Sequence, residues 1–99
     1  MALFVARHRH PPDACPAAPE SGHLLLAHVS AANAARYGIS IQAEALLDEN
    51  HCLFLVVEAA EQAQVERFMA FFNRFGAVQV LPASCSETAV ARGGCAFSS

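Results

Sequence analysis

Cys52-Leu53-Phe54-Leu55-Val56-Val57-Glu58 is an unbroken apolar run, rich in β-branched and aromatic residues and closed by a carboxylate. That composition fits a central strand covered on both faces. On its N-terminal side, Asp48-Glu49-Asn50-His51 reads as a turn. Before the turn, Ile39, Ile41, Ala43, Ala45 and Leu47 alternate with Ser40, Gln42 and Glu44, the pattern of a half-buried strand. On its C-terminal side, Val65, Phe68, Met69, Phe72 and Phe75 recur at spacings of three and four. With Glu61 in the first turn, Arg74 in the last and Gly76 beyond it, residues 61–75 are expected to be an amphipathic helix. Residues 77–81 then form a short strand that Pro82 closes.

Further upstream, residues 23–37 are rich in Leu and Ala, with Arg36 near the end and Gly38 just after it. This is the pattern of a helix and its stop. Pro11, Pro12, Pro16, Pro19 and Gly22 make residues 11–21 a loop, which carries Cys15. Residues 2–9 alternate as a first strand. The resulting order, βαββαβ, predicts an α+β fold of the ferredoxin-like kind. In that fold two crossovers put both helices on one face of a four-stranded antiparallel sheet of order 4-1-3-2. Residues 1–82 are expected to form this domain and residues 83–99 a cysteine-containing tail, which crosses to a partner subunit or folds over the open face.

Strand parity then assigns faces. Leu3, Val5, Ile39, Ile41, Leu53, Leu55, Val57, Val78 and Val80 are expected against the helices. Phe4, Ala6, His8, His10, Gln42, Glu44, Cys52, Phe54, Val56, Glu58, Gln79 and Leu81 are expected on the open side. That open side is half apolar. In a chain that is 55% hydrophobic and only 15% charged, it predicts a homodimer packed sheet to sheet, with a pocket for a small hydrophobic ligand between the subunits. Six Arg, no Lys and a net charge of −3 offer no basic patch for a phosphate backbone, so nucleic acid is not an expected partner. No run reaches the roughly 18 apolar residues of a membrane span, and no membrane partner is expected. The first residues have too few apolar positions before Arg7 for a secretory segment, which predicts a cytoplasmic location in a bacterial-type cell, where thiols stay reduced.

Within that setting, four cysteines and five histidines in 99 residues point to metal or thiol chemistry. His8 and His10 lie two apart on a strand, so their imidazoles leave one face about 6–7 Å apart at the backbone. Cys15 follows in the loop, His28 lies on the first helix, and Cys85 and Cys95 lie in the tail. His8, His10, Cys15, His28, Cys85 and Cys95 are the candidate ligands, a nitrogen and sulfur set suited to Ni, Zn, Cu or Fe and unsuited to Ca or Mg. His28 equally fits a hydrogen-bonded core position. Cys52 reads as a small buried hydrophobe, and His23 and His51 read as solvated.

The element order and the segment His8-x-His10-Pro11-Pro12-x-x-Cys15-Pro16, with His28, Ser84-Cys85 and Gly93-Gly94-Cys95, resemble the dimeric α/β-barrel superfamily. In size the chain is similar to small bacterial proteins related to its nickel-binding ferredoxin-like group. The resemblance spans roughly residues 2–82 and implies a homodimer and a transition metal. The superfamily also contains cofactor-free monooxygenases and isomerases. The alternative function is therefore catalysis on a small hydrophobic substrate, with His8 and Glu58, expected at the same end of the open face, as an acid/base pair. A second alternative is a redox protein using Cys85 and Cys95 as a reversible pair, although nothing in the sequence lowers either thiol pKa.

Overall fold

The computed structural model describes residues 1–95. Its scaffold is an α+β arrangement of four strands, β1 (Ala2–Arg9), β2 (Ile39–Leu47), β3 (Cys52–Ala59) and β4 (Ala77–Ala83), with helices α1 (Gly22–His28), α2 (Ala31–Arg36), α3 (Gln62–Met69) and α4 (Ser86–Ala91). The sheet is antiparallel throughout and runs β2-β3-β1-β4, the same row as 4-1-3-2 counted from the other edge. The run at 52–59 is an inner strand, as its composition requires. Leu53, Leu55, Val57 and Ala59 are buried on its helix side, while Phe54, Val56 and Glu58 are half-buried on the other.

The helices are more broken than periodicity alone predicts. The segment expected as one helix over 23–37 is two short helices, because Ser30 caps a new start: its hydroxyl accepts the Asn33 N–H at 3.3 Å. Gly38, at φ 77°, then turns the chain out of α2. The helix expected over 61–75 is α-helical only to Met69 and tightens into a 3-10 turn over Ala70–Arg74. Its start is fixed by Gln64, whose Oε1 accepts the Glu61 N–H at 3.0 Å. Val65, Phe68, Met69 and Phe72 are fully buried and form the centre of the core with Leu55 and Val57 of β3. The tail contains α4, and β4 runs through Pro82 to Ala83. A proline is tolerated there because β4 is an edge strand.

Two parity assignments are overturned. In β1 the register pairs Phe4 with Val57, Ala6 with Leu55 and His8 with Leu53, and residues directly opposite in an antiparallel pair share a face. Phe4, Ala6, His8 and His10 are therefore buried on the helix side, and Leu3, Val5, Arg7 and Arg9 lie on the open side. The physical reason is Arg7 and Arg9. A guanidinium stays charged and must reach water, whereas an imidazole can shed its proton and be buried neutral. In β2 a bulge at Gln42 shifts the register between Ile41 and Ala43. Beyond it, Glu44 and Leu46, opposite Leu55 and Leu53, lie on the helix side, and Ala43, Ala45 and Leu47 on the open side.

The end of β1 is locked by backbone. The His10 N–H donates to the His51 carbonyl at 3.0 Å, and His51 holds φ 51°, a left-handed conformation that histidine adopts more readily than most residues. Gly76 packs directly on the same point. A Cβ there would collide with the Arg9 carbonyl and approach the His10 Cα to 2.9 Å. Gly76→Ala should therefore lower the free energy of unfolding by about 1–3 kcal/mol in a urea titration; an unchanged midpoint would show that this backbone approach is not tight in solution.

Candidate functional site

The histidines separate into two environments. His28, at the end of α1, is sandwiched between Phe68 and Phe71, with ring centroids 4.3 and 4.2 Å away and interplanar angles of 23° and 13°. Both of its nitrogens are used. Asn33 Nδ2 donates to Nδ1 at 3.2 Å, which fixes the tautomer, so Nε2–H donates to the Phe68 carbonyl at 2.8 Å. Burial lowers its pKa, the Phe68 carbonyl opposes that shift, and Arg74 adds to it. With no free lone pair, His28 is a brace between α1, α2 and α3 and leaves the candidate ligand set.

His8 and His10 are the reverse case. They are 0% and 4% exposed, their rings lie 5.5 Å apart at 26°, and none of their four ring nitrogens has a hydrogen-bond partner. Phe72 (5.1 Å) and Phe75 (6.5 Å) cover His8, and His51 meets His10 edge-on at 5.6 Å. Desolvation, then the neighbouring His10, lower the His8 pKa to about 4; the Phe72 carbonyl pulls weakly the other way without reaching hydrogen-bond geometry. The His10 pKa is lowered by burial and then by His51. Each unmet buried polar group costs about 1–3 kcal/mol. His51 was expected in solvent; the signal that places it here is the tight 48–51 connection, which returns the chain beside the end of β1.

The other candidates do not converge on this pair. Cys15 is half-buried in the loop, where Ser21 Oγ holds its carbonyl and that of Pro16 at 3.3 and 2.9 Å. Cys85 and Cys95 are free and exposed. Contrary to the sequence expectation, one of these thiols is tuned: a hydrogen bond with the Thr88 hydroxyl at 3.1 Å lowers the Cys85 pKa. Among the described residues, no three His, Cys, Asp or Glu side chains are grouped to hold an ion.

The proposed acid/base pair does not form. His8 is opposite Leu53 and Glu58 is opposite Leu3, so they lie about 17 Å apart along the strands and on opposite faces of the sheet. Cys52 is buried and lies on the open side, both as expected, opposite Arg9 and Leu47. There a groove of about 580 Å³ is lined by Arg7, Arg9, Asn50, Phe54 and Gln79 among others. The same face carries Leu3, Val5, Val56 and Leu81, with Glu58 at its far end.

No protein-family model, no curated protein and no solved structure matches this chain. No helix among the described residues is long and apolar enough to cross a membrane.

The His8 environment gives stability a definite pH dependence. Its folded pKa of about 4 lies below the unfolded value of 6.5, so the unfolded chain binds the extra proton between those limits. Stability is complete above about pH 6.5 and falls as pH drops toward 4, by on the order of 3 kcal/mol from this group. His8→Leu should reduce that slope, leaving the part due to His10 and His28, whose pKa values are also lowered, and, by removing two unmet polar groups from the core, raise stability at pH 6 by about 2–6 kcal/mol. Urea titrations at pH 4.5, 5.5 and 7 read both effects, and a variant with the parent slope would rule out His8 as its source.

Proposed function

We propose that this chain is a small transition-metal-binding protein whose ligands are His8 and His10. The observation that carries the reading is the set of four buried imidazole nitrogens without partners. A position opposite Leu53 in an aromatic core would be filled more stably by Leu or Val, and an unmet imidazole there gains a purpose if its lone pair is given to an ion. Desolvation keeps both rings neutral, the state that ligates. Relative to the sequence expectation, the ligand set loses His28, whose nitrogens are occupied, the half-buried Cys15, which is not grouped with the pair, and the exposed Cys85 and Cys95. His51 is the nearest further imidazole.

Elemental analysis of untagged protein, purified with no added chelator, should find about one transition-metal ion per chain. His10→Ala should abolish it while leaving the circular dichroism spectrum unchanged. Metal retained in that variant, or none taken up by the parent from any first-row ion, would overturn the assignment.

The fold is read here as ferredoxin-like, in its face-to-face dimeric form, at work in a reducing cytoplasm. Support for the second copy comes from the open face itself. Its centre is apolar at Val5 and Val56, Arg7 and Arg9 stand at one end, and Glu58 stands at the other. A two-fold axis lying in the interface across the strands near Val5 reverses the strand direction between copies. The arginine end of one face then meets the glutamate end of the other. The arginine side-chain hydrogen bonds within the described residues are those of Arg92, which leaves Arg7 and Arg9 available. Light scattering at micromolar concentration should give the mass of two chains. Arg7→Glu and Glu58→Arg should each weaken the dimer about tenfold or more, and the double variant should recover it in part. A monomeric parent chain, or single variants that dimerise normally, would exclude this face as the interface.

A further inference from the structure

The reading of His8 and His10 as ligands leaves the ion open, and their surroundings narrow it. The pair supplies two imidazoles: His51 meets His10 edge-on at 5.6 Å, but among the described residues no group of three His, Cys, Asp or Glu is placed to hold an ion. Zn(II) in protein sites takes four ligands, and open sites still take three from the protein. Imidazole suits Zn, Cu, Fe and Ni alike, so ligand type does not choose among them; ligand number and charge do.

Charge is the second constraint. Both rings are at least nine-tenths buried, His8 lies against Phe72 and Phe75, and its cross-strand neighbours are Leu53 and Val78. Neutral imidazoles do not offset the charge of an ion. The cost of charging a sphere in a low-dielectric interior grows with the square of the charge, so a divalent ion is opposed by about four times the penalty of a monovalent one. Zn(II) and Cu(I) both have a filled d shell, so d-electron geometry does not separate them; the lower charge of Cu(I) does, because it is stable with as few as two neutral ligands. Metal–imidazole bonds of about 2 Å need two nitrogens about 4 Å apart; the ring centroids are 5.5 Å apart and the rings are stacked at 26°, so ring rotation about χ2 must accompany binding to turn the in-plane lone pairs toward one ion.

We propose that His8 and His10 together bind one cuprous ion, using one nitrogen from each ring, with Phe72 and Phe75 excluding water. This deepens the metal-binding reading and depends on it. The three thiols outside the core are not ligands in this proposal.

Because free thiols also capture Cu(I), the test uses the full chain with Cys15, Cys85 and Cys95 each replaced by Ser. This protein is titrated anaerobically with Cu(I) against a chromogenic cuprous chelator, and separately with Zn(II), Ni(II) and Co(II). One Cu(I) per chain is expected, with at least 100-fold weaker binding of each divalent ion. The X-ray absorption edge should be that of a two-coordinate nitrogen site. His8→Leu and His10→Leu in the same background should each weaken Cu(I) binding at least 100-fold with the fold intact by circular dichroism.

Preferential binding of a divalent ion that is lost with the same two substitutions would overturn the cuprous assignment while leaving the metal-binding reading in place. Loss of Cu(I) binding on the Cys→Ser replacements alone would also overturn it. Failure of the parent chain to hold any of these ions would remove both readings together.

Discussion

Much of this structure depends on the need of two arginine side chains for water. Arg7 and Arg9 occupy alternate positions of an inner strand, and the cost of burying a guanidinium without a partner fixes which face of β1 looks outward. Everything else on β1 follows from pleat geometry. Phe4 and Ala6 go into the core, which α3 can approach closely because Ala6 is small, and His8 and His10 go with them. Two imidazoles thus enter an apolar interior as the less costly of two polar pairs, and their nitrogens find no donor or acceptor there.

His28 shows what the same residue type looks like when its burial is structural. Its ring is stacked between two phenylalanines, Asn33 supplies one nitrogen and the Phe68 carbonyl accepts from the other. Because Asn33 Nδ2 also donates to the His28 carbonyl at 2.8 Å, one cluster fixes the angle between α1 and α2 and ties both to α3. The contrast between a fully satisfied histidine and an unsatisfied pair, both in contact with Phe72, is the internal standard against which the His8–His10 pair stands out.

Legibility in the sequence followed the strength of the local signal. The run at 52–58, the glycine after each helical region and the apolar spacing of 65–72 lead directly to the strands, the stops and the core helix, because each is a short-range pattern. Parity of β1 was less accessible. Leu3 and Val5 balance Phe4 and Ala6 in hydrophobicity, and only weighing arginine against histidine breaks the tie. The bulge at Gln42 leaves one trace, Leu46, an apolar residue on the face that strict alternation from Ser40, Gln42 and Glu44 makes polar. Ser30 was readable as a cap only once the helix was known to restart there. His8 and Glu58 do not pair because β1 and β3 run antiparallel, which puts them at opposite ends of the sheet, and because the arginines turn His8 to the helix side.

The strand row has a consequence for how the molecule is made. β2 and β3 are joined by a four-residue connection and can pair locally, but β1 bonds to residues 52–59 on one side and 77–83 on the other. During synthesis β1, made before β2, β3 and β4, is therefore among the last of the four to be closed in on both edges, a long-range pairing that delays completion of the sheet. Its far end, where Gly76 and the 48–51 connection meet around His10, is assembled only once residues up to Gly76 exist. Until then the His8 and His10 rings stand in water, open to protons and to whatever ions the surroundings supply.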